Sequence, residues 1–78
     1  MSGELSRTQQ IQIGKAADAA GAAKMELDAA VMMFEAACVT SDSVLMVKRG
    51  EAVQAATQNW LDKTASKYEI VRRITYGL

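Results

Sequence analysis

Histidine and proline are absent from this chain of 78 residues, and cysteine occurs once, as Cys38. Without a second cysteine no internal disulfide can form, and a single thiol without histidine cannot build a zinc site. The absence of histidine also removes the commonest general base of enzymes. Without proline, nothing in the sequence forbids long uninterrupted helices. These absences exclude a disulfide scaffold and a zinc domain, and they count against an enzyme.

The remaining chemically reactive residues do not form a recognisable active site. The glycines are isolated, so there is no phosphate-binding loop. Asp28 and Glu35 share a heptad slot with Gly14 and Gly21, as on the solvated flank of a helix. Cys38 lies in an apolar turn, where a thiol is expected to be inert packing. The sequence therefore predicts no enzyme, with no catalytic residue, cofactor, metal ligand or small-molecule substrate.

Long apolar runs are missing as well. The longest, residues 29–39, is interrupted by Glu35, whereas a membrane-spanning helix needs about 20 apolar residues. Residues 1–7 lack the charged-then-apolar order of a cleaved signal peptide. We therefore expect no membrane insertion, and either residence in the cytoplasm or export without a cleaved signal peptide.

Alanine is abundant, with fourteen residues, and it favours helix more than any other residue. In the predicted first helix, residues 7–39, apolar side chains recur at alternating spacings of three and four, as a coiled-coil seam requires. The seam consists of Ile13, Ala16, Ala20, Ala23, Leu27, Ala30, Phe34 and Ala37. Because every second position is alanine, another helix can approach this seam closely.

A second apolar strip, formed by Met25, Met32 and Val39 with Met33 and Ala36 nearby, flanks the seam. It either widens the face that meets the second helix or contacts a second subunit. Gly14 and Gly21 repeat at the same period, and each costs about 1 kcal/mol relative to alanine in a helix. Close backbone contact at these glycines is the expected compensation.

Residues 40–43, Thr-Ser-Asp-Ser, predict a turn with a helix start, and Ser43 is the favoured cap over Ser41 and Asp42. A turn this short brings the second helix, residues 44–76, back antiparallel. Its later apolar stripe is Trp60, Leu61, Ala65, Tyr68, Val71 and Ile74. Gly77 is the expected C-cap. The chain is thus predicted to be one all-α domain, residues 1–78, folded as an antiparallel two-helix hairpin with coiled-coil-like packing.

Two helices of this length are too slender to cover their own apolar side chains. Each would be roughly 50 Å long at 1.5 Å per residue, and chains this short bury only about 60% of the surface that they expose when unfolded. We therefore expect the hairpin to be completed by oligomerisation or by a partner chain. The apolar residues of the seam, the methionine strip and the later stripe are the predicted protein-interaction residues.

The neutral net charge hides two oppositely charged halves. Residues 1–42 hold six acids and three bases, whereas residues 43–78 hold six bases and three acids. This pattern favours antiparallel pairing within the hairpin and acidic-to-basic contacts between copies. The bases of the second helix are interleaved with aromatics, as in some nucleic-acid-binding helices, but the overall balance is neutral. Nucleic acid is therefore not the expected partner.

The layout resembles the small helical-hairpin proteins of bacterial type III secretion systems. Ser41-Asp42 matches the centre of the turn in their needle subunits, Val44-Leu45-Met46 the apolar opening of the second helix, and Trp60 and Tyr68 its aromatics. The two prolines that flank the needle turn are absent here. The resemblance implies a non-enzymatic subunit of a secreted filament, assembled from copies of itself, with the C-terminal helix lining the inside.

Three alternatives remain open at the level of sequence. A cytoplasmic co-chaperone of the same kind of system would cover the amphipathic helix of another small helical protein with its methionines. A homodimeric adaptor would pair two hairpins into a four-helix bundle. A weak nucleic-acid-binding regulator would use the bases of the second helix.

Overall fold

The computed structural model describes residues 5–77 and contains two antiparallel helices, α1 (Arg7–Thr40) and α2 (Ser43–Tyr76), of 34 residues each. No strand occurs within this range. The chain is a rod of 60 × 17 × 13 Å. The predicted all-α helical hairpin is therefore confirmed, with helix ends that differ from the predicted ones by a single residue.

Helix α1 begins at a capping box. The Ser6 hydroxyl accepts a hydrogen bond from the Gln9 backbone N–H at 3.1 Å, and the Gln9 side chain accepts one from the Ser6 N–H at 2.9 Å. The pair satisfies two of the backbone donors that the first turn of a helix leaves without partners. Ser6, directly before the predicted first helical residue, is therefore the N-cap.

The turn between the helices consists of Ser41 and Asp42. Ser41 takes a left-handed conformation (φ 60°) and donates its N–H to the Cys38 carbonyl at 3.3 Å, which ends α1. The carboxylate of Asp42 then accepts the Leu45 N–H at 3.1 Å and caps α2. The expectation that Ser43 is the cap is therefore wrong. Ser43 is already the first helical residue, because Asp42 is the residue that remains extended.

The seam of α1 is the side that faces α2. Of its eight residues, Ala20, Ala23 and Ala37 are buried, and the other five are half-buried. The Phe34 ring lies against Gly50 of α2, where a Cβ atom would stand 3.5 Å from the ring. The three-four spacing of the seam thus gives the face on which α1 meets its own second helix.

The inner side of α2 differs from the predicted stripe. Eight half-buried residues at heptad spacing lie on this side: Met46, Gly50, Val53, Thr57, Trp60, Thr64, Val71 and Ile74. Leu61, Ala65 and Tyr68 of the predicted stripe are exposed instead. The spacing of apolar residues alone places the stripe part of a turn away from the inner row, because the inner row includes Gly50, Thr57 and Thr64.

Two threonines, Thr57 and Thr64, make this inner row less apolar than the seam of α1. The Thr57 hydroxyl donates to the Val53 carbonyl at 2.7 Å. The buried Thr64 hydroxyl oxygen has no hydrogen-bond partner among residues 5–77, and an unsatisfied buried hydroxyl costs about 1–3 kcal/mol. The contact between the helices is therefore held by small and partly polar side chains.

The hairpin has almost no core of its own. Ala20, Ala23 and Ala37 are its only buried apolar residues within the described range, at 2–8% exposure, while eleven large apolar side chains remain exposed. The chain exposes 5790 Å², whereas a compact monomer of 8.4 kDa exposes about 4,600 Å². The difference, about 1,200 Å², exceeds the 800 Å² or so that one partner contributes to a typical protein interface.

Candidate assembly interface

The exposed methionines belong to a second heptad row on α1, on the side turned away from α2. This outer ridge consists of Ala22, Met25, Ala29, Met32, Ala36 and Val39, at spacings of three and four, and all six side chains are exposed. Met25, Met32 and Val39 are 74%, 70% and 85% exposed. At 3.6 residues per turn the ridge lies about 160° around the helix from the seam.

The ridge has the same three-four spacing as the seam and therefore the pattern of a second coiled-coil contact. Met25, Met32 and Val39 were recognised from the sequence, whereas Ala22 and Ala29 were not, although the alternating spacing includes them. Because most of the ridge points away from α2, it adds little to the face between the helices. A contact of the ridge with a second subunit stays a prediction.

Acidic side chains line both sides of the ridge. Glu26 follows one side, and Asp28 and Glu35 follow the other. Lys24 donates to Asp28 at 2.7 Å and lies 5.9 Å from the centre of the Trp60 ring. Among residues 5–77, Glu26 and Glu35 form no ion pair. The ridge is therefore apolar along its crest and negatively charged along its flanks.

A basic groove opens between the two helices near the chain termini. It has a volume of about 490 Å³ and is lined by Gln12, Lys15, Ala16, Ala19, Lys63, Ser66, Ile70, Arg73 and Ile74. Small side chains at Ala16, Ala19 and Ser66 leave the space open. The lining contains three cations and no acid, around apolar side chains of both helices.

A smaller groove of about 190 Å³ opens at the turn end, on the same broad face of the hairpin. It is lined by Met33, Ala36, Ala37, Thr40, Leu45 and Arg49. Met33 therefore lies beside the outer ridge rather than on it, and it is 47% exposed.

The ion pairs of the described range all lie within one helix. Besides Lys24 with Asp28, they join Glu69 to Arg72 at 2.8 Å and to Arg73 at 3.6 Å. The hydrogen bond from Arg72 lowers the pKa of the Glu69 carboxyl. Among residues 5–77, no ion pair joins α1 to α2, so the expected attraction between the helices does not take the form of direct ion pairs. The opposite charges of the two helices remain at the surface.

In the folded hairpin, the two ends of the rod carry net charges of opposite sign. The end formed by residues 5–23 and 61–77 holds six bases and three acids, whereas the end formed by residues 24–60 holds three bases and five acids. The outer ridge lies at the acidic end and the basic groove at the other. The two candidate surfaces are therefore separated along the rod and opposite in charge.

The predicted interaction residues divide into two groups. The eight seam residues, together with Trp60, Val71 and Ile74, lie on the faces where the helices meet. Met25, Met32, Met33, Leu61 and Tyr68 are exposed. The second group is the more accessible to another chain, and of the first group Ala16 and Ile74 also line the basic groove.

Gly14 and Gly21 do not mediate close contact within the hairpin. Among residues 5–77, a Cβ atom built at either position would meet no side chain beyond its chain neighbours and no atom of α2 within 4 Å, so the expected compensation by close backbone packing is wrong for the two helices of this chain. Both glycines share the heptad slot of Asp28 and Glu35 beside the outer ridge.

Replacing both glycines with alanine is expected to stabilise the hairpin. Each Gly14→Ala and Gly21→Ala change gains about 1 kcal/mol of helix propensity without a clash, which urea denaturation would measure as a higher midpoint. The matched change Gly77→Ala should destabilise, because Gly77 caps α2 at φ 71°. A Gly14→Ala/Gly21→Ala variant that unfolds at lower urea would show that another chain packs against these glycines.

Two further features complete the described surface. Cys38 is exposed, so its expected role as inert packing is wrong, because the slot it occupies on α1 lies outside the seam. Neither helix contains a stretch both long and apolar enough to cross a membrane within residues 5–77.

Comparison of the chain with protein-family models, with curated proteins and with solved structures finds no match.

Proposed function

We propose that this protein is a non-enzymatic assembly subunit that packs against further copies of itself to form an open, filament-type assembly. The observation that carries the proposal is the near absence of a core. Three buried alanines leave eleven large apolar side chains in contact with water, and such surfaces typically mark protein interfaces. A second layer of helices would cover them.

The arrangement of the exposed surfaces disfavours a dimer in which the outer ridge pairs with itself, because the acidic flanks of both copies would then come together. It favours a contact between the ridge and a surface of opposite charge. The acidic ridge and the basic groove occupy different ends of the rod. Contacts between unlike surfaces generate rings or open chains.

The resemblance in layout to type III secretion needle subunits gives this proposal a concrete form. In that form, the chain is a filament subunit of a protein secretion system. The short Ser-Asp turn supports the comparison, since Asp42 caps α2. The equal lengths of α1 and α2 and the absent prolines are departures from the needle pattern, in which the second helix is longer.

A co-chaperone of the same kind of system is the second candidate, and the three exposed methionines Met25, Met32 and Met33 favour it. Methionine is unbranched and polarisable, so it adapts to irregular surfaces of a partner helix. In this version the outer ridge covers a different protein, and the hairpin does not polymerise.

Size-exclusion chromatography with light scattering, carried out over a series of dilutions, distinguishes these functions. The filament proposal predicts a mass that grows with protein concentration, without a fixed stoichiometry. A sharp dimer at all concentrations would indicate a four-helix bundle, and a monomer that gains helix only with a partner would indicate a co-chaperone. A monomer that remains compact and melts cooperatively when dilute would contradict all three.

A further inference from the structure

We infer that the outer ridge of one copy docks into the basic groove of the next copy. This inference rests on the proposed function and specifies the contact through which that assembly grows. The occupant is therefore a second copy of this chain, contributing residues 22–39 of its α1.

Charge is the first ground for this pairing. The groove presents Lys15, Lys63 and Arg73 around apolar side chains, and the ridge presents exposed methionines flanked by Glu26 and Glu35. Neither of these glutamates has an ion-pair partner among residues 5–77. In the groove, Lys15 and Lys63 likewise have no ion-pair partner among residues 5–77, whereas Arg73 lies 3.6 Å from Glu69. The two surfaces are therefore opposite in charge, and complementary charges steer association and fix its register.

Dimensions are the second ground. Met25 and Met32 are seven residues apart, or about 10.5 Å along α1, and the groove wall from Lys63 to Ile74 extends about 16 Å along α2. Both methionine side chains can therefore enter one groove. Alanines at Ala22, Ala29 and Ala36 let the inserted helix approach closely between them.

Position is the third ground, and it determines how the assembly grows. The ridge forms a narrow edge of the rod, whereas the groove opens on its broad face. The centre of the ridge on α1 lies about 14 residues, or roughly 20 Å, from the groove. Insertion of one ridge leaves the ridge of the second copy and the groove of the first copy unoccupied, so the contact can repeat from copy to copy, as an open chain wherever the repeated rotation does not close.

Charge reversal on the two surfaces tests the inference. The groove variant is Lys63→Glu/Arg73→Glu, and the ridge variant is Glu26→Lys/Glu35→Lys. Each variant alone is expected to need an about tenfold or higher concentration to assemble, because attraction becomes repulsion at two positions. Light scattering at low salt measures the midpoint, since salt screens exposed charges.

Mixing the two variants is the decisive arm. An equimolar mixture should assemble at the wild-type concentration, because every ridge then meets a groove of opposite charge. Each variant must first show wild-type helicity by circular dichroism; if one does not, Lys63→Gln/Arg73→Gln and Glu26→Gln/Glu35→Gln replace the pair, with a smaller expected loss.

Other outcomes overturn the inference and leave the proposed function standing. Wild-type assembly of the groove variant would place the contact elsewhere. A mixture that stops at dimers would indicate ridge-to-ridge pairing. Salt-sensitive binding of wild type to a fluorescent DNA duplex, lost in the groove variant, would assign the groove to a polyanion. If wild type itself never assembles, the proposed function fails together with the inference.

Discussion

A Phe34→Asp variant is expected to lose most of its helical structure at every protein concentration. Phe34 is the largest seam residue of α1, and its ring packs on the α2 backbone at Gly50. Removing a core phenylalanine costs about 3–5 kcal/mol, and the half-buried Phe34 should cost somewhat less. Aspartate adds the cost of a carboxylate placed between two helices. A hairpin with three buried alanines lies at the low end of domain stabilities, which start at about 5 kcal/mol.

Far-ultraviolet circular dichroism with urea denaturation measures this effect, and Ala55→Asp is the matched control. Ala55 is an exposed mid-helix residue on the outer side of α2. The control carries the same new charge and should lose only the helix propensity of alanine, which is at most about 0.7 kcal/mol. If Phe34→Asp and Ala55→Asp unfold at the same urea concentration, the seam is not what joins the helices.

The architecture could be predicted because the relevant signals are local. The helix ends follow from short polar residues that satisfy backbone donors and from Gly77, which adopts the left-handed conformation of the C-cap at φ 71°. The seam of α1 follows from one unbroken alternation of three and four. The cap of α2 was misassigned among three adjacent candidates, since serine and aspartate have nearly equal preference for that position.

The inner face of α2 could not be predicted in the same way. Hydrophobic periodicity identifies a buried face only when the buried residues are apolar, and here Thr57 and Thr64 occupy the inner row. Leu61 and Tyr68, which are more hydrophobic, lie on the outside. The inner row thus mixes apolar residues with two threonines while some apolar residues stay exposed, and composition alone does not show this division.

The basic groove could not be predicted from the sequence either, because it depends on the register between the two helices. Lys15 and Arg73 are far apart in the chain and lie on one groove only because the hairpin brings both ends together. The alternating spacing of three and four, in contrast, is enough to predict the row of residues that forms the outer ridge. The spacing does not show, however, that α2 covers only one side of α1 and leaves the ridge exposed.

A Met25→Asp/Met32→Asp variant is expected to remain monomeric at concentrations where the wild-type chain is fully assembled. Both side chains are more than two-thirds exposed in the hairpin, so the change removes no contact within one copy. Burying a methionine at an interface contributes about 1.5–3 kcal/mol. Losing two therefore weakens association by more than about 100-fold, and light scattering would report the hairpin mass alone.

Ala52→Asp/Ala55→Asp is the matched control, since it introduces the same charge on the exposed side of α2 and should leave assembly intact. The melting temperature adds a second readout. Assembly stabilises the folded hairpin by mass action, so wild type should melt at higher temperature as its concentration rises, whereas the methionine variant should not. If the variant assembles and melts as wild type does, the apolar crest of α1 is not part of the contact through which the chain assembles.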